Sequence, residues 1–170
     1  MNGPARNESA RDAFRLRRSA ARLACVQALY EIDVSGASSD PVLREFLTDR
    51  WKNAGSDLAA AEPDGAFLAD LVRGVCTASP LLDREINAAL DEWSLERLEV
   101  LLRAILRAGA FELAERPDIP SRVVINEYVD VTHAFFAGKE TALVNAVLDR
   151  LSRTLRAPRR DPAQDEDASE

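Results

Sequence analysis

The sequence predicts an all-α protein of about seven helices, on three observations. Apolar residues recur at spacings of three and four over most of the chain. Nowhere is there a sustained alternating pattern of the kind a half-buried strand needs; Val123-Val124-Ile125 is the one β-leaning run, and it merges into a helical period. The interruptions carry helix punctuation, among them Ser35-Gly36, Asp40-Pro41 and Ser79-Pro80. Helices on short loops must bury their stripes against one another.

Residues 1–10 are polar and aperiodic and read as a disordered lead-in. From about Arg11 the helical period takes over: Leu16, Ala20, Leu23, Gln27, Tyr30 and Val34 form a stripe that Ala24, Ala28 and Leu29 widen, and Ser35-Gly36 ends it. Asp40 as N-cap with Pro41 at the first helical position opens a second helix with the face Val42, Leu43, Phe46, Leu47 and Trp51. Gly55 to Asp64 is the best loop candidate. A third helix shows Phe67, Leu68, Leu71, Val72 and Val75, and Ser79-Pro80 starts a fourth through Leu81, Leu82, Ile86 and Leu90. Ser94 can cap a long fifth helix through Leu98, Leu101, Leu102, Ile105 and Leu113. Pro117 and Pro120 bracket a connector. A sixth helix uses Val124, Tyr128, Val131 and Phe135, and a seventh runs from about Lys139 to Arg156. One domain over 11–156 follows, with 157–170 a disordered acidic tail that has no apolar period.

With 170 residues, the chain can bury one good core but cannot hold a catalytic domain beside an accessory one. Its net charge of −7 is unevenly distributed. Residues 1–30 hold six arginines (Arg6, Arg11, Arg15, Arg17, Arg18 and Arg22) against only Glu8 and Asp12. A basic arm on an acidic body suits two partners of opposite charge. Cys25 and Cys76 lie inside apolar helical patterns, which reads as small buried hydrophobes in a reducing compartment. No apolar run approaches a membrane span, since Arg22, Gln27 and Glu31 interrupt the best N-terminal candidate. The expected location is the cytoplasm.

Catalytic groups are scarce. The single histidine, His133, has only Glu127 and Asp130 near it in sequence, and it reads as a half-exposed helix residue. Neither a phosphate-cradling glycine loop, a nucleophile elbow nor a C-x-x-C pair occurs. The expectation is a non-enzyme without cofactor or metal. Arg11, Arg15, Arg18 and Arg22, spaced four, three and four, would share one face of the first helix. No carboxylate lies three or four residues C-terminal to Arg15, Arg18 or Arg22. Arginine's planar fork suits phosphate, and four phosphate contacts on a single strand would give a log-affinity against log-salt slope of about −3. Charge pattern alone leaves two readings open: a nucleic-acid contact, or a solvated face that pairs with the chain's own acidic tail. Asn126 and Asn145, inside apolar stretches, read as buried amides that fix how the last two helices dock. Asp91, Glu92, Glu96 and Glu99 surround Trp93, either favouring a helix dipole or meeting a basic protein.

Several motifs, in order, resemble the NusB family: Ala21-Arg22 through Gln27-Ala28-Leu29-Tyr30; Leu71-Val72-Arg73-Gly74-Val75; Leu102-Arg103-Ala104-Ile105-Leu106-Arg107 followed by Phe111-Glu112-Leu113; Asp118-Ile119-Pro120; Val124-Ile125-Asn126-Glu127; and Val144-Asn145-Ala146-Val147-Leu148-Asp149. The resemblance covers about residues 15–156. It implies two packed three-helix subdomains and binding to the boxA element of ribosomal RNA leader transcripts. It also implies joint action with NusE, a small-subunit ribosomal protein, in helping RNA polymerase read through terminators. The RNA contacts it implies are Arg15, Arg17, Arg18 and Arg22, with Lys139 and Thr141 from the loop before the last helix. Tyr30, Trp93, Glu96 and Glu99 are the candidates for the NusE face. The sequence departs from the family pattern in places: Ser19 and Ala20 break the arginine run, and Leu143 stands where an aromatic commonly precedes Val-Asn. Leu102 and Ala146 replace a common glutamate and glycine. Two alternatives are the NusB-like RNA-recognition domain of ribosomal RNA cytosine methyltransferases, and a helical homodimer without an RNA role, its arginine stripe self-complementary to its acidic body; some relatives dimerise over the RNA-binding surface, which would make such a dimer a resting state.

Overall fold

The computed structural model describes residues 4–48 and 61–156, and among them every regular element is helical. The order is α1 (Pro4–Ser35), α2 (Ser39–Thr48), α3 (Gly65–Ala89), a 3-10 turn (Leu95–Arg97), α4 (Val100–Glu115), α5 (Ser121–Phe135) and α6 (Glu140–Leu155). Trp51 and the proposed tail 157–170 lie outside the described residues, as does most of the loop expected over 55–64.

α1 begins well upstream of Arg11, inside the stretch that reads as a disordered lead-in, because a helix whose sides all face water carries no apolar period. Its residues 7–17 are exposed on every side, so no apolar stripe marks them. Pro4 suits the first turn, and alanine and arginine are good helix formers. The packed half of the helix supplies the costly nucleus from which this half extends. The helix ends at Ser35, where Gly36 takes φ +68°, a left-handed conformation that glycine adopts freely.

The third and fourth predicted helices are one. Pro80 lies inside α3, although an interior proline removes a backbone hydrogen bond and costs about 3 kcal/mol. The helix persists because its buried face does not stop there. Val72, Val75, Leu82, Ile86 and Ala89 are all buried on spacings that run straight through Ser79, whose hydroxyl donates to the Val75 carbonyl at 2.8 Å. Burying each large apolar side chain contributes roughly 1.5–3 kcal/mol, which offsets the proline. By length and composition α3 could also cross a membrane, yet that apolar face is spent on the protein core. The predicted fifth helix is likewise resolved into the 3-10 turn after Ser94 and then α4. Asn87 fixes the turn by accepting the Leu95 N–H at 2.8 Å.

α1, α2 and α3 pack on one another, as do α4, α5 and α6, giving the two three-helix groups that the family resemblance implies. They are joined through α4, which lies against both α1 and α3 so that one continuous core runs between the groups. The two helices approach closely at Gly74 of α3, where a Cβ would stand 2.0 Å from Cζ of Phe111 on α4. Cys25 is buried and Cys76 half-buried, both as free thiols; burial pushes the Cys25 thiol well up.

Candidate nucleic-acid interface

The arginines that share a spacing in sequence do not share an environment. Arg11, Arg15 and Arg17 lie on the exposed half of α1, and none has an ion pair within 4 Å among the described residues. Arg18 is partly covered. Its Nε donates to Asp64 Oδ2 at 3.0 Å, and its guanidinium sits between two rings, 4.0 Å from the centroid of Phe67 and 4.9 Å from that of Phe14. Asp64 is itself fixed as the N-cap of α3, accepting the Phe67 N–H at 3.1 Å. Partial burial works against its charge, but the Phe67 N–H and Arg18 prevail and hold its carboxyl below the usual range.

Arg22 corrects the four-arginine stripe. It is 3 % exposed, and its guanidinium bonds Glu112 through Nε at 3.0 Å and through Nη2. Glu127 lies 3.2 Å from its Nη1. Tyr128 donates its hydroxyl to Glu112 at 3.0 Å, and Ser19 donates to Glu127 at 2.7 Å. Burial opposes the charge on Arg22, yet Glu112, then Tyr128 and Glu127, raise its pKa above the ordinary value. The same burial pushes the Tyr128 phenol well up. This network ties α1 to α4 and α5 and leaves Arg22 almost without exposed surface.

Arg22 also lies over the Phe67 ring, 5.1 Å from its centroid, and a third arginine completes the area. Arg116, at the end of α4, lies 5.3 Å from that ring's centroid and pairs with Asp70 at 3.0 Å and Asp118 at 3.1 Å. Arg18, Asp64, Phe67, Asp70 and Arg116 line an open recess at this end of the molecule. Sequence reasoning missed this cluster because its members come from three elements. The apolar setting of Arg22 (Ala20, Ala21, Leu23, Ala24) and of Glu112 (Phe111, Leu113) was the available signal for a buried pair.

The remaining candidates are spread out. Lys139 is exposed and Thr141 half-buried at the α5–α6 turn. Arg156 spans the Ile119 carbonyl (2.6 Å), the Ser121 hydroxyl (3.0 Å) and the Arg116 carbonyl (2.9 Å), setting the start of α5 beside the recess. Lys139 follows the other end of that helix, a rise of about 20 Å away. Trp93, Glu96 and Glu99 are exposed on the segment that leads into α4, and Tyr30 is exposed on α1. Asp33 accepts from Arg103 at 3.2 Å, which brings the end of α1 beside the first turns of α4 and places Tyr30 at the same end as Glu99. Asn126 and Asn145 are exposed rather than buried, on the outer faces of α5 and α6. Leu102 is a core residue and Leu143 packs partly against the core. His133 is exposed, and no three His, Cys, Asp or Glu side chains among the described residues could hold a metal ion.

A sequence model of the NusB family matches residues 19–153. The chain belongs to the NusB family. It is 45% identical over 166 residues to the transcription antitermination protein NusB of Bradyrhizobium sp. strain BTAi1, covering 95% of each chain. The NusB of Caulobacter vibrioides is 51% identical over 142 residues, 82% of this chain and 94% of that one. Among solved structures, T. maritima NusB superposes with a TM-score of 0.68 at 27% identity, over 80% of this chain and 90% of that one. The fold is also that of a chain from a complex of the antitermination factors NusB and NusE with double-stranded RNA (TM-score 0.64, 24% identity, 82% and 98% covered). NusB-family membership gives the chain its functional class, transcription antitermination. The family match begins at Ser19, where α1 becomes buried, so the exposed half of α1 lies upstream of it.

Proposed function

We propose that this chain is an RNA-binding antitermination adaptor of the cytoplasm that holds boxA RNA of ribosomal RNA leader transcripts together with NusE and promotes read-through by RNA polymerase. It acts by assembly rather than catalysis and needs no cofactor. The observation that carries the reading is the set of exposed arginines Arg11, Arg15 and Arg17 on α1, without an ion pair among the described residues, on a protein whose net charge is −7. Like charges one turn apart disfavour an isolated helix by roughly 0.2–0.5 kcal/mol per pair, a cost that a bound polyanion would reverse. Arg18 joins them at the edge of the recess, and Lys139 with Thr141 forms a second, distant contact that an extended strand could reach. Tyr30, Trp93, Glu96 and Glu99 form the face offered to NusE, which is basic-partner chemistry at the opposite end of α1 from the arginines.

A gel shift with boxA RNA, run with and without NusE over a salt series, tests this. The reading expects a shifted complex whose affinity falls with salt and rises with NusE. Absence of any complex at low salt, with or without NusE, contradicts it.

A further inference from the structure

We propose that Phe14 is a base-stacking platform: the open end of a ring–guanidinium–ring column that receives one unpaired base of single-stranded RNA. The inference rests on the RNA-binding reading above and adds to it a residue upstream of the family match. Phe14 is 55 % exposed, an unusual place for a phenyl ring on a helix. One face takes the Arg18 guanidinium; among the described residues no other ring or cation meets it. Behind Arg18 stands Phe67, 3 % exposed and fixed at the capped start of α3. Asp64 holds Arg18 from the side at 3.0 Å. The platform is therefore set in place before a ligand arrives, which lowers the ordering cost of binding.

The surroundings of Phe14 select a nucleotide over a protein. Arg11, Arg15, Arg17 and Arg18 stand at three before and at one, three and four after it. Docking an apolar protein surface there would strip water from guanidinium groups without giving them partners. A nucleotide offers both halves of what is present, a flat π face for the ring and phosphate oxygens for the arginine forks. The other exposed apolar side chain nearby, Leu16, stands two positions on and so faces away from Phe14. Among the described residues these two side chains make no continuous apolar patch for a helix or strand to cover.

The test measures binding of a single-stranded boxA RNA by fluorescence anisotropy over a salt series, for the full chain and for Phe14→Leu, Phe14→Trp and Arg15→Ala. Stacking on an aromatic is sequence-tolerant and strong enough that Phe14→Leu should weaken binding about ten-fold with an unchanged salt slope. Phe14→Trp should keep the affinity and add an RNA-dependent change in indole fluorescence absent from the parent protein. Arg15→Ala should instead reduce the salt slope by about 0.7. An RNA with a single abasic nucleotide walked along it should reveal one position where Phe14→Leu no longer matters. If the parent binds RNA and Phe14→Leu binds equally well, the platform is wrong while the RNA reading stands. If Phe14→Leu weakens only NusE binding, Phe14 is a protein contact and the inference fails. If the parent binds no RNA, both fail together.

Discussion

The two halves of α1 carry the same residue type at the same helical spacing and use it in opposite ways. Before Arg18, the arginines Arg11, Arg15 and Arg17 stand exposed with no ion pair within 4 Å among the described residues, on a segment outside the family match. After Ser19, Arg22 is enclosed among alanines and leucines and answered by two carboxylates from α4 and α5. Spacing alone cannot tell these apart, since it fixes only which residues share a face. What separates them is whether another helix crosses that face and brings a carboxylate with it. The upstream half is thus free to bind, and the downstream half is committed to the fold.

The sharpest way to break the comparison is Arg22→Ala. It leaves Glu112 buried without its main counter-ion, a change that costs about 3–5 kcal/mol and should be read as a large fall in the urea midpoint. Were Arg22 a phosphate ligand, stability would hold and the RNA salt slope would drop. Gly74→Ala, in the joint between the two helix groups, should cost about 1–3 kcal/mol, because Phe111 must leave its position for the new methyl; an unchanged midpoint would show that the joint is looser than described. Asp64→Ala sits on the border between the halves. It removes a helix cap worth about 1 kcal/mol and releases Arg18, so stability should fall slightly and RNA affinity with it, because the Phe14 platform is no longer held in place. The carboxyl of Asp64 is depressed in the folded state, so its contribution is complete above the unfolded value near 4 and is lost as pH falls through the lower folded value. The stability difference between the parent and Asp64→Ala should therefore shrink in that acid range. Smallest of all, Arg15→Ala and Arg17→Ala should leave the midpoint within about 0.5 kcal/mol of the parent.

Much of the fold was legible because most of the chain is packed, and packing writes a period into the sequence. The stripe of α5, from Val124 through Tyr128 to Val131, is buried as its spacing required. Errors fall where that link is weak. Ser79-Pro80 carries a helix-start signal, but the burial of Val75 and Leu82 on one face outweighed it. The first turns of α1 have no stripe at all. Asn126 and Asn145 stand beside apolar residues in sequence, yet on a helix the adjacent residue points elsewhere, and both face outward. The site was less legible. The exposed arginines could be named from composition, whereas the Asp64, Glu112 and Glu127 that claim Arg18 and Arg22 are 46, 90 and over a hundred residues away. Phe14 gave no signal, since its meaning depends on Arg18 and Phe67 being stacked behind it.

The central claim is that RNA is held by the half of α1 that the fold does not use. Its most direct test is the salt dependence of boxA RNA affinity for the Arg11→Ala/Arg15→Ala/Arg17→Ala triple variant, measured with the urea midpoint of the same protein. The account predicts a slope smaller in magnitude by about 2, from three lost single-strand phosphate contacts, at an unchanged midpoint. A parental slope in the triple variant would contradict it.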